Sequence, residues 1–265
     1  MSLYLIRSVG PAGTAWLRLT MGALIFMAWR RPPLRTLRTR DIPDLLGLGI
    51  MNGLATVAFL GAVARIPLGT TVGIEFLGPL SVAALGTRRT RALVWPITAL
   101  LGVVLLTNPW GGRSDPVGIA LAGFAAIGWG TYILLTQRVG DRFAGARGLS
   151  LTVPVAAATA AVAGIPQAAG HITPTILAAA VGLAILFPVL PYALEMRSLH
   201  FLTPSAFGTL MALEPAFGVI IGFVVLGQRL SMIQLTGVLL VVGAGARAQR
   251  GGRRKERVVA GHGTS

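Results

Sequence analysis

Runs of mostly apolar residues, each about 20 long, recur along this 265-residue chain. That is the length a helix needs to cross the roughly 30 Å hydrocarbon core of a bilayer. Nine runs qualify, at roughly 12–30, 43–62, 68–86, 92–108, 116–136, 149–168, 174–196, 203–226 and 231–247. Lipid offers a backbone no hydrogen bonds, so such runs have to be helical. The joints are short and rich in turn residues, as in "RRPPLRTLRTRD", "NPWGGRSDP" and "AGHITP". The fold class expected is all-α integral membrane. Composition points the same way: 54% of residues are hydrophobic and 12% charged, where a soluble domain carries about 25% charged residues.

The net charge of +15 suggests nucleic acid only until the basic residues are placed. They form no face of a soluble domain, which nucleic-acid binding would need, but cluster in alternate joints. One set of joints, with the C-terminal tail, holds 18 Lys and Arg; the other holds Arg65, Arg113 and Arg229. The rich side is the cytoplasmic one, and residues 248–265 read as a basic, disordered cytoplasmic tail. The first run then crosses from outside to inside. Residues 1–11 are expected outside, as an exterior tail or the remnant of a missing first helix. There is no cysteine, and His171, His200 and His262 are far apart. No Walker loop, dinucleotide fingerprint or HExxH occurs. No metal, cofactor or nucleic-acid partner is expected, and the chain is not read as an enzyme.

Two stretches repeat one pattern. In "AVARIPLGTTVGIEFLGPLSVAALGTRRTRALVWPITALLGVVLL" (62–106), a polar turn leads to a helix interrupted by Glu75 and Pro79, then a basic turn and a plain apolar helix. In "MRSLHFLTPSAFGTLMALEPAFGVIIGFVVLGQRLSMIQLTGVLLVVG" (196–243), the same order returns 134–136 residues later with Glu214 and Pro215 as the interruption. The offset is five helices, an odd number, so the halves enter the membrane in opposite orientations. Such inverted repeats mark many secondary transporters.

Other stretches carry a family resemblance: "IPLGTTVGIEFLGPLSVA" (66–83), "GWGTYILLTQRVG" (128–140), "LPYALEMRSLHFLTPSAFGTLMALEPA" (190–216), "GPAGTAWLRLTMGALI" (10–25) and the Met51–Asn52 pair. Together they resemble the threonine/homoserine exporter group, in the EamA-like branch of the drug/metabolite transporter superfamily. The resemblance covers essentially the whole chain in family order. It implies a five-plus-five inverted-repeat helix fold around a central cavity. It also implies export of small amino acids or similar metabolites across the inner membrane, coupled to protons. A first helix would precede residue 10, where this chain has only "MSLYLIRSV"; nine spans are counted instead of ten. On this division 12–136 holds the first EamA-like half and the start of the second, and 116–247 the second half.

An ionisable group in hydrocarbon is costly and marks function by default. Arg18 and Glu75 each lie six or seven residues into a run from the outside, roughly 10 Å deep, and are expected to be able to pair. Glu214 sits near the middle of its run with no basic residue at its depth, which suits a proton site. Pro79 and Pro215 break their helices and free backbone carbonyls one turn earlier. Glu195, beside Arg197, reads as an interfacial or gating charge. Asn52 is deep in an apolar run and needs a partner. Trp129 and Tyr132 share a helical face, and Tyr192 is a further cavity candidate. The expected partners are a small molecule, an amino acid by resemblance, with protons and lipid; an oligomer is compatible with the sequence. An exporter of other metabolites or drugs is the nearest alternative, and a non-transporting membrane interaction protein is the rival of a different class.

Overall fold

The computed structural model describes residues 2–29, 38–85, 94–107, 115–140, 146–190, 214–227 and 231–251, and among them there is helix but no strand. Among the described residues three helices are long and apolar enough to cross a membrane: Thr39–Val63, Pro116–Leu135 and Gly148–Ala168. Shorter apolar helices cover Leu68–Val82, Ile97–Leu106, Pro174–Phe187, Ala216–Leu226 and Met232–Arg247.

Helix α1 (Ser2–Trp29) is broken at Gly10, where φ is 73° and ψ 168°. Only glycine takes that conformation readily, and Pro11 follows it. The first expected run starts at residue 12; the helix continues back through the break to Ser2. The break orphans the N–H groups of Ala12 and Gly13. Both donate to Oε1 of Gln167, at 2.7 and 3.1 Å.

Helix α2 (Ile42–Val63) has a proline in its first turn, Pro43, where the missing donor costs nothing. The expected run 68–86 is two helices, α3 (Leu68–Glu75) and α4 (Leu77–Leu85). Pro79 cannot donate to the carbonyl four residues earlier, that of Glu75, so the helix gives way beside the carboxylate. Then follow α5 (Val94–Thr107), α6 (Pro116–Gly140) and α7 (Ala146–Ala168). Helix α8 (Pro174–Ala184) is capped by Thr173, whose Oγ1 accepts from the Ile176 N–H at 3.3 Å. It runs into a π turn, Ile185–Val189, in which Phe187 leaves the helical region at φ −150°, ψ 110°. Pro188 follows and forces that, since a proline disfavours helix in the residue before it. Helices α9 (Glu214–Leu226) and α10 (Met232–Gly251) complete the described chain.

The helices meet at small residues, as expected where lipid supplies no hydrophobic drive between them. Helices α5 and α10 are antiparallel. At one end Gln234 Nε2 donates to the Leu106 carbonyl at 3.1 Å; at the other Arg247 lies 5.9 Å above the centre of the Trp95 ring. Between these ends Gly102 and Gly237 meet back to back: a Cβ on either would approach the other's carbonyl oxygen to about 2.6 Å or less. Helices α3 and α9 also cross antiparallel, with Gly69 on Val219 and Gly218 on Val72. Helix α1 runs antiparallel to α7 and also packs on α8 through Leu5, Val9, Ile176 and Ala180. Helix α2 lies parallel to α7, with Gly49 on Val155 and Gly53 on Ala156, and antiparallel to α6, with Gly61 on Leu121 and Gly47 on Leu135. Ile127, Val224 and Met232 point outward, which suits a lipid environment.

Candidate functional site

A cavity of about 160 Å³ opens where α1, α2, α6 and α7 converge. It is lined by Arg18, Leu19, Asn52, Thr56, Tyr132, Leu149, Val153 and Phe187. Arg18 projects from the middle of α1, and its Nε is buried without a hydrogen-bond partner. Asn52 and Thr56 stand four residues apart on α2, hence on one face. Neither side chain makes a hydrogen bond among the described residues. Other threonines here close back onto their own helix: Thr14, Thr71, Thr152 and Thr159 each donate to the carbonyl four residues earlier. Thr56 does not. Tyr132 enters from α6, packed on Leu45 and Leu48 of α2. Phe187 comes from the π turn, swung outward by its proline neighbour.

Of the residues expected to carry function, the cavity gathers Arg18, Asn52 and Tyr132. Trp129, one turn before Tyr132, is half-buried but does not line it. Glu75 ends α3 at the break, half-buried, within electrostatic reach of Arg18 and of Glu214. The antiparallel α3–α9 crossing sets it level with Glu214, the first residue of α9. The direct ion pair expected between Arg18 and Glu75 is not made. Arg65–Asp115, at 2.9 Å, is the one ion pair among the described residues. Glu214 Oε2 is buried with no hydrogen-bond partner. Pro79 stands in the first turn of α4, and Pro215 is the second described residue of α9. Tyr192 and Glu195 lie outside the described residues.

The Arg65–Asp115 pair sits at the turn after α2 and the start of α6, away from the cavity. Its hydrogen bond from Arg65 is the main cause holding the Asp115 carboxyl below the usual carboxylate range; N–H donation from Gly118 and Val117 adds to it. Asp115 therefore serves as the N-terminal cap of α6.

Sequence reasoning missed Leu19, Thr56, Leu149, Val153 and Phe187. Thr56 had a signal, one turn after Asn52 in an apolar helix. Phe187 had one too, immediately before Pro188. Leu19, Leu149 and Val153 look like any lipid-facing residue in the sequence.

Residues 116–246 match the EamA-like transporter family. The threonine/homoserine exporter RhtA of Salmonella typhimurium is 36% identical over 245 residues, spanning 89% of this chain and 81% of that protein. The threonine/homoserine exporter RhtA of Escherichia coli is 37% identical over 247 residues, with the same shares. The chain belongs to the EamA-like transporter family. In this EamA-like chain the cavity is shared between two parts. Tyr132, Leu149, Val153 and Phe187 fall in the stretch matched to the family, while Arg18, Leu19, Asn52 and Thr56 come from before it. The relatives are named as exporters and not as enzymes. No group of three or more His, Asp or Glu gathers among the described residues to hold a metal.

Proposed function

We propose that the chain is a secondary active exporter of small amino acids of the threonine/homoserine type, or of related metabolites, across the inner membrane. The observation that carries this reading is the cavity between α1, α2, α6 and α7, with its unpartnered Arg18 Nε and free Asn52 and Thr56 side chains. An ionisable group kept in an apolar bundle without a partner is costly unless a ligand or ion uses it. The relatives' names supply the substrate class.

Two inverted halves are supported by which helices touch. Helices α1 and α7, α3 and α9, and α5 and α10 are counterparts under the repeat, and each pair packs antiparallel. The contact of α2 with α7 has its mate in that of α8 with α1. Gly102 and Gly237, which face each other, are 135 residues apart, within the spacing of the sequence repeat. The parallel and antiparallel crossings also agree with spans that alternate in direction along the chain. Alternating access would then be a rocking of one half on the other.

Glu75 and Glu214, level with each other beside the α3 break, are the residues we assign to proton coupling. In proteoliposomes loaded with labelled threonine, an imposed pH gradient should drive export. Export indifferent to collapse of that gradient would remove proton coupling; no export of any amino acid would remove the functional reading. The cysteine-free chain allows orientation to be read separately. A thiol at His171→Cys should react with impermeant reagent from outside the cell, and one at Gly251→Cys should not.

A further inference from the structure

We propose that the cavity is a hydroxy-amino-acid site, in which Arg18 holds the substrate carboxylate and the Asn52–Thr56 face of α2 holds its side-chain hydroxyl. This rests on the exporter reading and adds the residues that choose the substrate. Size comes first. A volume of about 160 Å³ holds about five waters and lies below the roughly 300–1,000 Å³ of pockets for drug-sized ligands. It suits one small amino acid.

The unpartnered groups then divide by chemistry. Arg18 Nε is a buried cationic donor lacking an acceptor, and a carboxylate matches the planar guanidinium fork in two hydrogen bonds. Asn52 and Thr56 are neutral, offer both donors and acceptors, and stand one turn apart on the same wall. An ammonium group alone would leave the Asn52 amide donors unused; a hydroxyl both accepts and donates. The rest of the lining is Leu19, Leu149, Val153 and Phe187, with the Tyr132 ring. Apart from the Tyr132 hydroxyl, these walls tolerate a short carbon skeleton and contribute no hydrogen bonds. Valine, which carries a methyl where threonine has its hydroxyl, would leave Asn52 and Thr56 unsatisfied, and sites built for a hydroxyl reject such analogues strongly.

The test is counterflow of labelled threonine in proteoliposomes of the full chain, competed by unlabelled homoserine, valine and threoninamide. Homoserine should compete as threonine does. Valine and threoninamide should each compete at least about tenfold less well, the loss expected for one unmet hydrogen bond or more. Thr56→Val and Asn52→Leu keep side-chain volume. Each should shrink the threonine-over-valine preference by about tenfold, in samples that remain monodisperse on size exclusion. Threoninamide competing equally with threonine in the unsubstituted protein overturns the carboxylate arm without depending on any variant. Valine competing equally with threonine, or both variants keeping the preference within twofold, overturns the hydroxyl arm. An absence of threonine counterflow in the unsubstituted protein overturns the exporter reading itself, and the site assignment with it.

Discussion

A methyl group on Gly237 has nowhere to go. A Cβ there would lie 2.5 Å from the Gly102 carbonyl oxygen and 2.8 Å from the Leu106 nitrogen, both backbone atoms that no rotamer change can move. Ordinary contact begins near 3.4 Å, so α5 and α10 have to part by about 0.9 Å at the crossing. A gap of that size forfeits a quarter to a half of the local dispersion energy, and overpacking of this kind costs about 1–3 kcal/mol. Gly102→Ala meets the same obstacle from the other side, 2.6 Å from the Gly237 carbonyl. One separation of the helices relieves both clashes. The double variant should therefore fall short of the sum of the singles, with a coupling of about 0.5–3 kcal/mol. Gly243→Ala is the control on the same helix: nothing lies within 4 Å of its Cβ, and replacing a helical glycine is worth up to about 1 kcal/mol in its favour. Thermal unfolding of purified protein in one detergent, followed by loss of the monodisperse peak, ranks the four variants. A Gly237→Ala protein as stable as Gly243→Ala, or strict additivity in the double, would refute the back-to-back crossing.

Gln167→Leu should lose the two bonds that cap the broken α1, leaving the Ala12 and Gly13 donors unmet at about 1–3 kcal/mol each, read as a lower melting temperature. Trp95→Leu removes the ring under Arg247 and should cost about 0.5–1 kcal/mol in the same assay, with no further loss when Arg247→Gln is added. Asp115 has a depressed carboxyl, so the stability it contributes is present above the ordinary carboxylate value near 4 and is lost as pH falls through the lower folded value. Acid unfolding curves of the unsubstituted protein and Arg65→Gln should accordingly converge at low pH and separate above it.

The long apolar runs were legible because the bilayer imposes their length. The runs expected at 43–62, 116–136 and 149–168 fall on α2, α6 and α7 with ends close to Ile42–Val63, Pro116–Gly140 and Ala146–Ala168. Interruptions were legible where proline makes them, at Pro79 above all. The extension of α1 to Ser2 was not: Gly10–Pro11 reads as a helix start, and only Gln167, distant in sequence, supplies the acceptor that lets helix stand on both sides of it. The site divides along the same line. Arg18, Asn52 and Tyr132 stand out because polar groups are rare in such runs. Leu149 and Val153 do not, since the side of a helix that faces a cavity is decided by its neighbours. The absent Arg18–Glu75 contact has the same root, because equal depth in the membrane fixes height and not azimuth.

On the inverted repeat proposed above, the lining of the cavity bears on where such a transporter keeps its symmetry and where it gives it up. Pro43 and Pro174 stand in the opening turns of α2 and α8. Thirteen residues on from each (56 less 43, 187 less 174) come Thr56 and Phe187, and both line the cavity. Counted from these prolines they hold the same place, a hydroxyl in the first half and an aromatic ring in the second. The division extends further. Arg18, Asn52 and Thr56 bring polarity from the first half; Leu149, Val153 and Phe187 bring apolar surface from the second, with Leu19 and Tyr132 the two that cross that line. At the crossings the opposite holds, and Gly102 meets its counterpart Gly237 on equal terms. Rocking two halves about a shared axis demands matched crossings. An amino acid has no two-fold axis, so a site built on one has to break it; on the reading proposed above it is broken by residue type across the cavity while the helix crossings stay matched.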